Sequence, residues 1–205
     1  MTASAGITAF VPTFVTVGGD WSGFSLENLI VDGLQDFDSL QILTGDVVTR
    51  SLFWIPEYMG FGPTGWYDES YNLVDEENQT FDAATGFYLS LASGGIVTYL
   101  GEVKQSPNIV AFSSGVTAFG SGRPYPVKLS DIIFTGQQDF DSLQILTGDV
   151  VTSSLFWIPE YMGFGPTGWY DESYALVSSD YMLPDGLGLY ALFSAGGSAT
   201  IPFLD

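Results

Sequence analysis

The chain has 205 residues, of which 46% are hydrophobic and 16% are aromatic, so it is long and apolar enough to bury a core. Its 24 acidic residues against four basic ones give a net charge of −20, which argues against nucleic-acid binding because phosphate neutralisation needs a lysine or arginine patch. The sequence lacks cysteine and histidine. This excludes a disulfide framework and removes the thiol nucleophile and the commonest general base, so we predict that the protein is not an enzyme.

Period-two patterning and turn residues predict a series of short strands in the first half of the chain. Pro12 places the first of them at a sheet edge or a bulge, and a single helical turn is predicted at 25–29. The Gly94-Gly95 pair between the last two strands predicts a hairpin. The predicted strands are residues 7–17, 39–43, 47–55, 65–74, 86–92 and 96–103.

The second half repeats the first. Residues 138–174 are the same 37 residues as 35–71 with one change, Ser153 in place of Arg50. With about six strands per repeat, we predict an all-β fold of two tandem sandwich- or barrel-like units related by internal duplication. The predicted units are residues 1–103 and 104–205. Weaker likeness joins residues 7–10 with 109–112, 25–33 with 128–136 and 86–98 with 188–200.

The near-identical centre has two explanations that the sequence leaves open. One is recent copying of DNA, and the other is a surface that both halves use. Its aromatic segment, 52–67, is apolar on both faces of the predicted strand at 52–55. This indicates a strand buried on both sides, an aromatic platform for sugars, or a subunit interface. The candidate interface residues are Phe53, Trp54, Tyr58, Phe61, Trp66, Phe156, Trp157, Tyr161, Phe164 and Trp169.

Two acidic pairs, Asp36 with Asp38 and Asp139 with Asp141, are candidate calcium ligands. Residues two apart in an extended segment face the same way, so both carboxylates of a pair can converge on one hard cation. The alternative is that these acids cap turns, with the phenylalanines between them tucked inward. A glycosidase-type carboxylate pair remains the distant enzymatic alternative. Its candidates are Asp36, Asp38, Asp46, Glu57, Asp68, Glu69 and their copies.

Several short motifs resemble a group of uncharacterised secreted bacterial proteins built from similar β units. They are Asp38 with Ser39-Leu-Gln-Ile42, Gly65-Trp-Tyr-Asp68, Gly86-Phe-Tyr-Leu89 and Gly101-Glu-Val103. The second half departs from the pattern, with Gly188-Leu-Tyr-Ala191 and no Gly-Glu-Val. The resemblance implies an extracellular or cell-surface location and no particular activity. The small residues at 3–5 are also typical of the tail before a signal cleavage site.

These observations predict a secreted structural protein that self-assembles into an extracellular filament, sheath or surface layer. If one half packs on the other, the same contact can be repeated head to tail between chains, which gives an open filament. The charge opposes assembly at low salt, so salt or divalent cations are expected to favour it. The alternatives are a virion structural protein and a carbohydrate-binding or adhesin module that uses Trp54, Trp66 and Tyr67. The expected partners are therefore other copies of the chain, or glycans, and no transmembrane segment is expected because no apolar run approaches roughly 18 residues.

Overall fold

The computed structural model describes residues 2–3, 6–10, 24–81, 85–100, 106–120, 123, 125–147, 150–183 and 188–203. Within these ranges the chain is all-β, as predicted, and its longest helices are three-residue 3-10 turns. The strands of the first half are β1 (Thr2–Ala3), β2 (Gly6–Phe10), β3 (Phe24–Ser25), β4 (Leu29–Asp32), β5 (Ser39–Thr44), β6 (Val47–Ile55), β7 (Gly65–Tyr67), β8 (Thr80–Phe81), β9 (Gly86–Leu91) and β10 (Gly95–Tyr99).

The strands of the second half follow in the same sequence. They are β11 (Asn108–Phe112), β12 (Gly115–Phe119), β13 (Val127–Lys128), β14 (Ile133–Thr135), β15 (Ser142–Thr147), β16 (Val150–Ile158), β17 (Gly168–Tyr170), β18 (Met182–Leu183), β19 (Leu189–Phe193) and β20 (Gly197–Ile201). The 3-10 turns are Leu26–Asn28, Glu57–Met59, Leu129–Asp131 and Glu160–Met162.

Each half contains a five-stranded, a three-stranded and a two-stranded sheet, all antiparallel. In the first half the strand orders are β2-β9-β5-β6-β7, β1-β10-β4 and β3-β8. The second half has the same orders, β12-β19-β15-β16-β17, β11-β20-β14 and β13-β18. Every described sheet therefore draws its strands from one half of the chain. The predicted boundary between residues 103 and 104 lies outside the described residues.

The pairing corrects the predicted match between residues 7–10 and 109–112. Strand β2 pairs with β9 in the five-stranded sheet, and the strand in that position of the second half is β12, which pairs with β19. Strand β11 instead pairs with β20 in the three-stranded sheet. Residues 7–10 thus correspond to 116–119, and the letters of 109–112 are similar because β-branched and aromatic residues are common in strands.

The predicted hairpin at Gly94-Gly95 is also wrong. Strand β9 pairs with β5 and β2, whereas β10 pairs with β4 and β1, so the two glycines lie where the chain leaves one sheet and enters another. A Cβ on Gly95 would lie 2.4 Å from the carbonyl oxygen of Asp32. Glycine is therefore required here by the close approach of β4, not by a hairpin turn.

The other predicted elements agree in part. The strands at 39–43 and 47–55 are confirmed as β5 and β6, and the single helical turn is observed at Leu26–Asn28. The strand at 65–74 is shorter, because the chain turns after Tyr67. The first strand is observed as Gly6–Phe10, and Pro12 lies outside the described residues.

A large apolar cluster lies inside each half. In the first half it takes buried side chains from all three sheets, among them Leu29 of β4, Leu52 of β6, Trp66 of β7 and Phe81 of β8. The cluster of the second half is built likewise, from Val110, Leu155, Trp169 and Leu183. Burial of this apolar surface is the main favourable contribution to folding of each half.

A seam joins the two halves. A Cβ on Gly86 would lie only 2.5 Å from the Cβ of Ala118, and one on Gly45 would lie 2.6 Å from the Val116 carbonyl oxygen. The hydroxyl groups of Tyr88 and Tyr190 are hydrogen-bonded to each other across the seam. Burial is the main reason that the pKa of Tyr190 is raised, and the Tyr88 hydrogen bond adds to it.

The seam is reciprocal. Strand β5 of the first half contacts β12 of the second, and their counterparts β15 and β2 contact each other. Such an isologous contact uses equivalent faces of both partners, as a twofold dimer does. Both halves already use their equivalent faces in this contact within the chain. The contact therefore cannot be repeated head to tail with a next chain, and the head-to-tail argument for a filament does not apply to it.

Candidate functional site

A tight turn before β5 positions the first candidate residues. The buried carboxylate of Asp38 accepts hydrogen bonds from the backbone N–H of Gln35 and of Ala92, each at 2.7 Å. The backbone N–H of Phe37 donates to the carbonyl of Trp54 at 2.9 Å, and that of Trp54 donates to the carbonyl of Asp38 at 2.8 Å. The turn is thus fastened both to β6 and to the residue after β9.

The middle of this turn carries an unusual aromatic residue. Phe37 has a φ of 62° and its copy Phe140 has 61°, in the left-handed region that bulky side chains rarely adopt. Both rings are 43% exposed, so the expectation that they are tucked inward is wrong. The Asp38 contacts hold the backbone in this conformation, and strain of this kind clusters at functional sites.

Beside the turn, Tyr58 has a ring that is 75% exposed. Its hydroxyl donates to the carboxylate of Asp36, which is the largest cause of the raised pKa of Tyr58. The second half has the same pair, Tyr161 with Asp139, and the pKa of Tyr161 is raised for the same reason. An exposed ring is thus held in a defined orientation by one carboxylate in each half.

The loop that carries Tyr58 is fastened to the sheet. The hydroxyl of Tyr67 donates to the carbonyl of Pro63 at 2.7 Å, and the hydroxyl of Thr64 accepts from the backbone N–H of Glu57 at 3.0 Å. The Tyr67 ring is itself buried. The loop after β6 is therefore built on a buried side chain of β7.

A shallow, mostly polar groove of about 420 Å³ lies between the turn and this loop, lined by Leu34, Gln35, Asp36 and Tyr58. The Gln35 side-chain amide donates to the hydroxyl of Ser93 at 2.9 Å. The volume is within the range of small-molecule sites. The groove offers a ring face, an amide and a carboxylate, which together can hold a ligand that carries both apolar faces and hydroxyl groups.

A second exposed aromatic pair lies on the neighbouring loops. The rings of Phe61 and Tyr71 are stacked with centroids 5.1 Å apart, and Tyr71 also has a positive φ, 61°. The carboxylate of Asp68 accepts from the backbone N–H of Ser70 and of Asn72, each at 2.9 Å, and these hydrogen bonds help to lower its pKa. Phe164 and Tyr174 repeat the arrangement.

The candidate interface residues are not all on the surface. Trp66 and Trp169 are only 2% and 8% exposed and belong to the cores, so we do not retain them as interface or sugar-platform residues. Each lies against the half-buried tryptophan of the neighbouring strand, Trp54 or Trp157, in an edge-to-face contact. Phe53 and Phe156 are likewise half-buried. Tyr58, Phe61, Tyr161 and Phe164 remain as exposed candidates.

The candidate calcium ligands have separate partners. Asp38 is buried on backbone amides and Asp36 binds Tyr58, and Asp141 and Asp139 have the corresponding partners. The prediction that these acids cap a turn is met by Asp38 and Asp141. Within the described residues, no three or more carboxylates are grouped to hold a metal ion, and calcium binding stays a prediction.

Two features of the site escape sequence reasoning. Gln35 belongs to no recognised motif. The turn at Tyr71 lies inside the predicted strand 65–74, because polar and apolar residues alternate there as they do in a strand. Asp68 is the signal for the turn, since an aspartate can accept from backbone N–H groups a few residues ahead of it; Asp171 does the same in the second half, where Ala175 replaces Asn72.

No protein-family model, curated protein or solved structure matches this chain. In the part of the chain that the structure describes, no helix has the length and apolar character needed to cross a membrane.

Proposed function

We propose that this protein is a non-catalytic, extracellular carbohydrate-binding protein of the adhesin type, with one site for neutral sugars in each half. The observation that carries the proposal is the exposed tyrosine whose hydroxyl is bound to a carboxylate: Tyr58 with Asp36, at the edge of a groove in the first half, and Tyr161 with Asp139 in the second half. Self-assembly of the chain stays a separate prediction.

The ring supplies the apolar part of the site. An aromatic side chain combines a flat apolar face with a polar tip, and the C–H face of a sugar ring can stack on it. Because the hydroxyl of Tyr58 is already bound to Asp36, little conformational freedom is lost when a ligand covers the ring, and this favours binding.

The charges select the kind of sugar. A carboxylate such as Asp36 only accepts hydrogen bonds and has room for more than one, so it suits the hydroxyl groups of a sugar. The net charge of −20 repels acidic polymers. Neutral sugars meet both conditions, whereas uronic-acid and sulfated glycans do not.

The groove favours binding over hydrolysis. Glycosidases of the common kind use two carboxyl groups on either side of the scissile bond. Among the described residues that line the groove, Asp36 is the one carboxylate. The absence of histidine from the sequence also removes the most frequent general base.

We further propose that each half is a sandwich-like unit and that the pair arose by internal duplication. The matching sheet orders, the corresponding large apolar cluster in each half and the 37-residue near-identity support this organisation. It would give one binding site in each half of the chain, and two sites raise the apparent affinity for a ligand array.

A neutral-glycan array, followed by calorimetry on the best ligand, tests the proposal. We expect two equivalents of a short oligosaccharide per chain, one after either Tyr58→Ala or Tyr161→Ala, and none after both. Phe61→Ala with Phe164→Ala is the matched control, because these rings are exposed in the same loops but do not line the groove of Leu34, Gln35, Asp36 and Tyr58. Failure of every neutral glycan to bind, or unchanged binding by the double tyrosine variant, would contradict the proposal.

A further inference from the structure

The groove of the first half contains an apolar side chain that is replaced by a polar one in the second half. Leu34 lines this groove together with Gln35, Asp36 and Tyr58. The Leu34 side chain is half-buried and packs against the apolar cluster of its half, so the core fixes its position. The residue at the corresponding place in the second half is Gln137, which is also half-buried.

The backbone before these two residues is equivalent in both halves. Each of them follows a glycine with a positive φ, 90° at Gly33 and 85° at Gly136. Each also comes directly before the near-identical segment, 35–71 or 138–174. Leu34 and Gln137 therefore extend from equivalent backbone positions, and the two sites differ there in chemistry: methyl groups in one and an amide in the other.

The neighbouring glutamine is held differently in the two halves. The side-chain amide of Gln35 donates to the hydroxyl of Ser93 at 2.9 Å, whereas that of Gln138 donates to the carbonyl oxygen of Gly136 at 3.2 Å. Ala195 stands at the place of Ser93, since the residue before each donates its backbone N–H to the buried aspartate of the turn. The amide is thus held toward the segment after β9 in the first half and toward its own turn in the second.

On the basis of the sugar sites proposed above, we propose that the two halves select different neutral sugars. The first-half site prefers a sugar that carries a methyl group, and the second-half site prefers the hydroxylated counterpart. The methyl group of a 6-deoxyhexose or of an N-acetyl group can lie on Leu34 and the Tyr58 ring, where its burial is favourable. A sugar hydroxyl can instead donate to the Gln137 amide or accept from it. A methyl group that covered this amide would displace its water without replacing the hydrogen bonds.

The selectivity is modest, because both sites share the exposed tyrosine and its carboxylate. A methyl group covered by Leu34 is expected to raise the affinity about fourfold. A hydroxyl group bound to the Gln137 amide is expected to raise it about two- to tenfold. Both sites should therefore bind the same sugars in a different order of preference.

Calorimetry on two full-length variants, each with one intact site, tests this order. Tyr161→Ala leaves the first-half site and Tyr58→Ala leaves the second-half site. Each variant is titrated with the methyl glycosides of glucose, galactose and mannose, with their 6-deoxy forms and with their 2-acetamido forms. We expect Tyr161→Ala to bind a methyl-bearing form more tightly than the parent sugar, and Tyr58→Ala to show the reverse order. The 6-deoxy and 2-acetamido series distinguish the two sources of the methyl group.

Exchanging the side chains should exchange the preferences. Gln137→Leu in the Tyr58→Ala chain should give the order of the first-half site. Leu34→Gln with Ser93→Ala in the Tyr161→Ala chain should give the order of the second-half site. Circular dichroism checks the folding of each variant, and Gln137→Leu provides the test that places no new polar group against a core.

The possible outcomes distinguish a failure of this specificity from a failure of the proposed function. If neither single-site variant binds any of these sugars, both proposals are overturned. If both variants bind with the same order of preference, or if Gln137→Leu leaves the order of its site unchanged, only the difference in specificity is overturned. Phe61→Ala and Phe164→Ala are the controls and should leave each order unchanged, because both halves carry these rings.

Discussion

The two halves of the chain have the same strand orders throughout, and in their near-identical segments the local geometry is repeated as well. The strained aromatics have nearly the same φ in both, 62° at Phe37 and 61° at Phe140, and the stacked pairs have the same 5.1 Å separation. The near-identical segment therefore contains most of what the proposed sugar site needs. The segments on either side of the near-identical residues 35–71 and 138–174 determine the surface around the proposed sugar site.

The flanks differ most in charge. The first half has the acidic run Asp75-Glu76-Glu77, whereas the second has Ser178-Ser179-Asp180, in which Asp180 forms a 2.7 Å ion pair with Lys128. Arg123 is fully buried in the second half and donates to the carbonyl oxygens of Ser106 and Ile201. The second half thus uses basic residues to join its segments.

The largest expected effect comes from the core tryptophans. Trp66→Ala should lower the free energy of unfolding by about 3–5 kcal/mol, and Trp169→Ala by a similar amount, because each removes a buried ring from its core. Guanidinium unfolding followed by circular dichroism measures both. Tyr58→Ala is the control, with an expected change within about 0.5 kcal/mol for an exposed side chain. Wild-type stability in Trp66→Ala would contradict the placement of this residue in the core.

The seam between the halves gives an intermediate effect. Gly86→Ala places a Cβ 2.5 Å from that of Ala118, and such overpacking costs about 1–3 kcal/mol. We expect the halves to lose part of their coupling, so that calorimetry shows a broader or split unfolding transition. The double variant Gly86→Ala with Ala118→Gly removes the clash and should recover much of the loss. If Gly86→Ala unfolds like the unaltered chain, the halves do not meet at this point.

The smallest expected effect concerns the acidic run. Burial is the largest cause of the raised pKa of Glu76; a hydrogen bond from the Trp66 backbone lowers the pKa in part, and the nearby Glu27 raises it. A carboxyl group whose pKa is higher in the folded state destabilises that state when ionised. Glu76→Gln should therefore raise the free energy of unfolding at neutral pH by under about 0.5 kcal/mol. The gain should vanish in acid, where Glu76 itself is protonated. Urea unfolding at the two pH values measures this, and Glu77→Gln, at an exposed neighbour, is the control.

Local features of the fold could be predicted from the letters. Strands β5 and β6, the turn between them and the 3-10 turn at Leu26–Asn28 follow from alternation and turn residues, which act over a few neighbouring positions. The change of sheet at Gly94-Gly95 could not be predicted, because the same two glycines suit a hairpin and a corner equally well. Only the partners of β9 and β10 distinguish them.

The sequence by itself determined the all-β class, the repeated segment and the set of aromatic and acidic residues from which a site can be built. The tertiary structure decided which of these residues reach the surface. Trp66 and Tyr58 are both aromatic and lie eight residues apart, yet Trp66 is in the core and Tyr58 is exposed. The physical reason is that β7 is covered by the three-sheet cluster of its half, whereas the 3-10 turn Glu57–Met59 leaves the sheet. Burial depends on this packing between distant segments, which no local pattern of residues contains.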